Sequence, residues 1–80
     1  MPYIKSETRN ALAQFESPLT AGELNYLLTM YILDYLSDKG ESYQTYCEIE
    51  GVLSHVSKEL YRRRVSDYED EKIKENGDVY

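Results

Sequence analysis

The sequence has 80 residues, which is enough for one small domain and too few for a nucleotide-binding α/β sheet joined to a substrate domain. Hydrophobic residues make up 41% and charged residues 30%, which is typical of a globular protein and excludes a disordered or fibrous chain. Nine Lys and Arg stand against fifteen Asp and Glu, and the net charge of −6 argues against charge-driven binding to nucleic acid or to an anionic membrane.

Cysteine and histidine are too rare to build a metal site or a disulfide framework. The chain has one cysteine, Cys47, and one histidine, His55. No intrachain disulfide can form, so we expect a reducing cytoplasm, no metal and no cofactor. No apolar run reaches the length of about 18 residues that a membrane span requires, so we expect no membrane association.

Three helices are predicted in chain order, and together they make a mainly α single domain over residues 1–80. The first covers residues 6–15 and ends before a Ser-Pro pair, because a residue that precedes proline is disfavoured in helical geometry. The second runs over residues 21–38. Its start is indicated by the T-x-x-E spacing of Thr20 and Glu23, which is typical of a capping box. Gly40 is suited to the position just after its end.

The second helix is apolar on almost every side. Between residues 24 and 36, only Asn25, Thr29 and Asp34 are neither apolar nor tyrosine. Such a helix must be buried almost all round, and two neighbouring helices in so short a chain cover only part of it. We therefore predict a homodimer or homotetramer with this helix at or near the subunit interface.

The third helix is predicted to start between residues 42 and 45, where Thr45 and Glu48 repeat the T-x-x-E spacing. Its core stripe has helical spacing. Cys47, beside the stripe, is predicted to be a small core residue rather than a reactive thiol. The residues of the stripe are Tyr46, Ile49, Leu53, Val56 and Leu60.

The catalytic motifs of hydrolases, zinc proteases and phosphate-binding loops are missing from the sequence. His55 and Glu59 are one helical turn apart, with Glu48 about two turns before His55, and a His–carboxylate pair can act as a general base. These positions lie away from the core stripe, however, and are predicted to form the solvent-facing side of the helix. We expect no enzymatic activity and no catalytic residue.

Residues 66–80 form an acidic C-terminal segment with six Asp or Glu and two Lys. The Asn76-Gly77 pair predicts a short hairpin, because this dipeptide suits a tight two-residue turn. The alternative is a short helix over residues 70–75 with Gly77 near its end. In either case we expect an ordered tail that is anchored to the domain by Ile73, Val79 and Tyr80.

One basic cluster, Arg62-Arg63-Arg64, follows the third helix. The core stripe extended beyond Leu60 reaches this cluster, so at least one guanidinium is predicted on the buried side, where it needs an anion. The acidic tail and a phosphate-bearing ligand are both open as that anion. Tyrosines beside arginines can stack bases while the guanidinium groups hold phosphates. The candidate ligand-binding residues are therefore Tyr61, Arg62, Arg63, Arg64, Tyr68, Asn76, Asp78 and Tyr80.

Several short motifs carry a resemblance over nearly the whole chain. They are PYIK at 2–5, GELNY at 22–26, GESY at 40–43, ELYRR at 59–63, and YED, KI and ENGDVY between 68 and 80. On these motifs the chain resembles a family of small proteins of undescribed function carried by bacteriophages and some bacteria. The resemblance implies that the acidic tail belongs to the domain, and it implies no established activity.

By its size and predicted oligomerisation, the chain also resembles phage immune-evasion proteins of the anti-CBASS type. These are molecular sponges that bind the cyclic nucleotide signals of bacterial defence at subunit interfaces. The leading hypothesis is therefore a non-enzymatic phage protein that sequesters a small cyclic nucleotide in the cytoplasm of the infected bacterium. The alternative is an acidic inhibitor or adaptor of a host protein, acting as a nucleic-acid mimic. Direct binding of DNA or RNA is not expected.

Overall fold

The computed structural model describes residues 4–12 and 17–80, and these are mainly helical, with no strand among them. The predicted first helix is confirmed at its start, while its residues 13–15 lie outside the described part. The chain forms two compact units, residues 1–49 and 50–80. The described helices are α1 (Ser6–Leu12), α2 (Ala21–Lys39), α3 (Tyr43–Leu60) and α4 (Ser66–Asn76), with a π-helical stretch, here called the π segment (Tyr61–Val65), between α3 and α4.

Helix α2 begins where it was predicted and ends within one residue of the predicted end. The backbone N–H of Glu23 donates to Thr20 Oγ1 at 3.1 Å, and the Thr20 hydroxyl donates to the Glu23 carboxylate at 3.3 Å, so the start is capped by the residues that the sequence indicated. At the other end, Gly40 has a φ of 85° and its N–H donates to the Leu36 carbonyl oxygen at 2.8 Å. A glycine is favoured there because side chains with a Cβ rarely adopt a positive φ.

Helix α3 begins at Tyr43, within the range of residues 42–45 predicted for its start, but its capping residue differs from the prediction. The backbone N–H of Thr45 donates to Ser42 Oγ at 3.2 Å, and the N–H of Tyr46 donates to the Ser42 carbonyl oxygen at 3.0 Å. Ser42 is therefore the capping residue, and the capping box predicted from Thr45 and Glu48 is wrong. Ser42 is the preferred cap because its hydroxyl accepts a hydrogen bond from a first-turn N–H group, and because Tyr43 and Gln44 then join the helix before Thr45.

Replacing Ser42 by alanine is expected to lower the free energy of unfolding by about 1 kcal/mol, because the Thr45 N–H loses its acceptor. Urea titration followed by circular dichroism measures this change. The matched control is Ser57→Ala at an exposed position inside α3, which is expected to be neutral or slightly stabilising because alanine has the higher helix propensity. Equal effects of the two substitutions would contradict the assignment of Ser42 as the cap.

The acidic segment is a helix over most of its length, so the predicted hairpin at Asn76-Gly77 is wrong and the helical alternative is right. Helix α4 begins at Ser66, four residues before the predicted start. Gly77 has a φ of 88° and its N–H donates to the Ile73 carbonyl oxygen at 2.8 Å, the same closure that Gly40 gives to α2. An Asn-Gly pair forms a hairpin between strand-forming flanks, whereas Glu and Lys dominate the residues before it and favour a helix.

Burial in the described chain is slight. No hydrophobic side chain among the described residues is buried, and Thr45, with 4% of its surface exposed, is the one buried polar residue among them. Cys47 is exposed, so its predicted core position is wrong for the single chain. Ile49 is half-buried, but the rest of the predicted core stripe is exposed. The predicted tail anchors are also exposed: Ile73 partly, and Val79 and Tyr80 almost fully. These side chains therefore lack the apolar contacts that core residues have.

No helix in the described part of the chain combines the length and the apolar character needed to cross a bilayer.

Candidate binding groove on the C-terminal helix

A groove of about 440 Å³ runs along α4. Ser66, Asp70, Ile73 and Asn76 line the groove at intervals of three or four residues, so their side chains lie on one face of the helix. The exposed tail after α4 supplies the remaining wall. We call this the α4 groove, and its lining residues are Tyr61, Ser66, Glu69, Asp70, Lys72, Ile73, Asn76, Gly77, Asp78, Val79 and Tyr80.

Half of the candidate ligand-binding residues meet in the α4 groove. Those that line it are Tyr61, Asn76, Asp78 and Tyr80. The other half, which includes all three arginines, does not line it: Arg62, Arg63, Arg64 and Tyr68. The predicted combination of stacking rings and phosphate-holding arginines is therefore not assembled in this groove within a single chain.

The anion that Arg62 and Arg63 contact is Glu59. Arg62 Nη2 lies 3.1 Å from Glu59 Oε2, and Arg63 Nε lies 3.3 Å from the same oxygen. Neither of the two anions considered from the sequence, the acidic tail or a ligand phosphate, is needed to account for these contacts. All three side chains are largely or partly exposed, so each ion pair contributes only about 0–1 kcal/mol. Arg64 is exposed as well.

The contacts of Arg62 and Arg63 involve the carboxylate of the His55–Glu59 pair that was considered as a general base. The Glu59 carboxylate is held by the two arginines, and His55 is exposed, as predicted for the solvent-facing side of α3. Among the described residues, no group of three or more His, Cys, Asp or Glu side chains is placed to hold a metal ion.

The α4 groove is acidic, which the sequence reasoning did not anticipate. Glu69, Asp70 and Asp78 line it, and Lys72 is the lysine among its lining residues. Lys72 Nζ lies 3.1 Å from the carboxylate of Glu75 and 5.5 Å from the ring centroid of Tyr68, so its charge is already shared. The groove therefore attracts a cation more readily than a phosphate.

The lining residues Glu69, Asp70 and Ile73 were missed as site residues. The signal that could have identified them is the spacing of Ser66, Asp70 and Ile73 within the helical alternative for the tail, which places them on one face. The hairpin and the helix were both left open, and the helical alternative was drawn only over residues 70–75, so it did not include Ser66 and Glu69.

The π segment stands at one end of the α4 groove. The backbone N–H of Ser66 donates to the carbonyl oxygen of Tyr61, five residues earlier, and the Ser66 hydroxyl donates to the Arg62 carbonyl oxygen at 3.0 Å. Helical turns of this width are rare, and those that do occur are frequently found at functional sites. The π segment also carries all three arginines, so it marks this part of the chain as a candidate functional site.

A second polar cluster lies in the unit of residues 1–49, where Tyr35 and Glu48 meet. The Tyr35 hydroxyl donates to Glu48 Oε1 at 2.7 Å, and Gln44 Nε2 donates to Glu48 Oε2 at 3.1 Å. These two hydrogen bonds stabilise the carboxylate and lower the pKa of Glu48, and Lys39 adds a weaker attraction. The bond to the carboxylate also raises the pKa of Tyr35.

Replacing Tyr35 by phenylalanine is expected to raise the pKa of Glu48 toward its ordinary value, because the largest cause of its lowering is removed. A depressed carboxyl pKa contributes stability above the unfolded-state value near 4.5, and this contribution is lost as the pH falls through the folded-state value. Carbon-13 NMR titration of the Glu48 carboxyl measures the shift. The control is Tyr43→Phe at an exposed tyrosine, and an unchanged Glu48 midpoint in Tyr35→Phe would contradict the hydrogen bond.

Comparison with known proteins gives a family without an assigned activity. Residues 1–79 match the family described as a domain of unknown function (DUF6899). No curated protein and no solved structure is significantly similar to the chain.

Proposed function

The chain belongs to the DUF6899 family, and we propose that it is a non-enzymatic binding protein that works as a homo-oligomer through protein–protein contacts. The observation that carries this proposal is the exposure of apolar side chains. In α2, each of Leu24, Leu28 and Leu33 has at least 46% of its surface exposed. Contiguous exposed apolar surface of this kind is typical of protein–protein contacts.

Helix α2 offers a specific contact surface for a second copy. Four exposed apolar or tyrosine side chains follow one another at intervals of four, three and four residues, which is the spacing of a helix-pairing seam. We call this row the α2 seam. A second α2 would cover it by inserting its own side chains between these residues. The residues of the α2 seam are Leu24, Leu28, Tyr31 and Tyr35.

Thermal unfolding at several protein concentrations tests the proposal. The unfolding midpoint of an obligate oligomer rises with protein concentration, because association stabilises only the folded chains. We expect a clear rise over a hundredfold range of concentration. A midpoint that is independent of concentration, for a chain that unfolds cooperatively, would contradict self-association.

The ligand class that the charges favour is a basic protein. The net charge is −6, the α4 groove is acidic, and Arg62 and Arg63 contact Glu59. These observations favour the inhibitor or adaptor hypothesis, in which an acidic surface engages a basic partner and competes with nucleic acid for it. In the setting that the phage resemblance suggests, the partner is a protein of the infected bacterium and the chain acts in its cytoplasm.

Sequestration of a cyclic nucleotide is the second candidate function. It is favoured by the meeting of Tyr61, Asn76 and Tyr80 in one groove beside Lys72, since rings, an amide and an ammonium group can together bind a nucleotide. A thermal-shift screen with cyclic di- and trinucleotides separates the two functions. A nucleotide that raises the unfolding midpoint of the wild type, but not of Tyr61→Ala, would favour sequestration over protein binding.

A further inference from the structure

Charge is unevenly distributed along the C-terminal part of the chain, residues 61–80. The π segment carries three arginines and no acid. Residues 66–80 follow with six acids and two lysines. This stretch is therefore positive at one end and negative over the rest. The acids are Asp67, Glu69, Asp70, Glu71, Glu75 and Asp78.

The α4 groove along this stretch has apolar and aromatic side chains that are not covered by other residues of the unit 50–80. Its apolar and aromatic lining is Tyr61, Ile73, Val79 and Tyr80, and each of these side chains has at least 42% of its surface exposed. A groove with apolar walls and an acidic rim is complementary to a segment that combines aromatic or aliphatic side chains with arginines. The π segment itself has that composition, because Tyr61 and Val65 flank its three arginines.

We infer that residues 61–80 pair antiparallel with the same residues of a second copy, so that the π segment of each copy covers the acidic rim of the other copy's α4 groove. Parallel pairing would bring arginines against arginines and acids against acids. Antiparallel pairing about a two-fold axis brings opposite charges together twice and closes this interface at two copies. Each groove is completed by guanidinium groups that the other copy contributes.

Arg64 is the arginine that we assign to this contact. All three arginines are exposed, but Arg62 and Arg63 each form an ion pair with Glu59, whereas Arg64 forms no ion pair with a described residue. Asp70 is the carboxylate of the groove wall nearest the middle of α4. The contact between Arg64 of one copy and Asp70 of the other rests on the self-association proposed above, and it is an interface separate from the α2 seam.

Reversing one charge at a time tests the pairing in the full-length chain. Arg64→Glu and Asp70→Lys are each expected to weaken association about tenfold, because an attraction becomes a repulsion at two symmetric places. The matched controls are Lys58→Glu and Glu50→Lys, which make the same charge changes at exposed positions of α3 and should change association little. Sedimentation velocity at about 0.1 M salt measures association, since higher salt screens exposed charges.

Mixing the two variants gives the sharpest result. In a pair formed by one Arg64→Glu chain and one Asp70→Lys chain, both contacts regain opposite charges, so the mixture should associate like the wild type although neither variant does alone. The double variant Arg64→Glu/Asp70→Lys should also recover.

Two outcomes would overturn the pairing in distinguishable ways. If the wild type assembles but the two variants behave like their controls, or if mixing restores nothing, antiparallel pairing is refuted and the proposed oligomer stands. A wild type that is monomeric would refute both. Circular dichroism of each variant confirms that the helices are retained, so that loss of association is not loss of folding.

Discussion

Leu28→Lys is expected to raise the dissociation constant of the homo-oligomer at least about tenfold. Full burial of an exposed leucine contributes about 1.5–3 kcal/mol, and a two-fold interface would bury the exposed half of Leu28 once from each copy, which gives about 1.5–3 kcal/mol in total. The substitution also places a charge where the seam of the partner would lie. Leu28 is in the middle of the α2 seam and has 46% of its surface exposed in the single chain, so nearly half of the residue is open to a second copy.

The matched control for Leu28→Lys is Ser37→Lys, which introduces the same charge into the same helix at an exposed position outside the α2 seam. We expect its dissociation constant to stay within about twofold of the wild type, as is usual for surface substitutions. Equal association of the two variants would show that the α2 seam is not an interface, even if the wild type assembles.

Gly40→Ala is expected to destabilise the fold by roughly 1–3 kcal/mol, since φ 85° and ψ 144° lie near a region of backbone conformation that is essentially confined to glycine. An added Cβ at Gly40 meets no atom within 4 Å, so the cost is backbone strain rather than a steric clash. A chain of this size has a thin stability margin, so the loss is a large fraction of the total.

Gly51→Ala is the matched control, because it makes the same chemical change inside α3, where an added Cβ also meets no atom within 4 Å. Alanine has the higher helix propensity, so this variant is expected to gain about 0.8–1 kcal/mol. Chemical denaturation of both variants measures the two changes at equal protein concentration. The same sign for both would contradict the helix end assigned to Gly40.

The helix ends that local chemistry determines were predictable from sequence. Thr20, Glu23 and Gly40 act on residues three or four positions away, and the bounds of α2 follow from them. The start of α3 was predictable only as a range, because Ser42 and Thr45 both offer a hydroxyl cap and pattern alone does not rank one above the other. The tail was left open between a hairpin and a helix, because the turn preference of Asn76-Gly77 competed with the helix propensity of the residues before it.

The candidate site was only partly predictable, because side-chain partners depend on geometry that spacing does not provide. Tyr61, Asn76, Asp78 and Tyr80 line one groove, whereas the sequence alone indicated only their positions near the end of the chain. The contact of two arginines with Glu59 was missed, since that carboxylate had been considered only as a partner of His55. The widened turn of the π segment has no recognised sequence pattern, so it was not foreseen.

Burial was the least predictable property, because the prediction treated the apolar stripe of the third helix as a core within one chain. The exposed residues of α2 and α3 show that the described chain alone does not supply that core. The same stripes remain meaningful if a second copy covers them, which is the expectation that the composition of the second helix raised.

Sedimentation equilibrium of the full-length wild type at high micromolar concentration tests self-association most directly. We predict a mass of two or four times 9.4 kDa for a helical, cooperatively folding species. A species that is helical and folded, and that has the mass of one chain at every concentration, would contradict both the oligomer and the interfaces assigned to it.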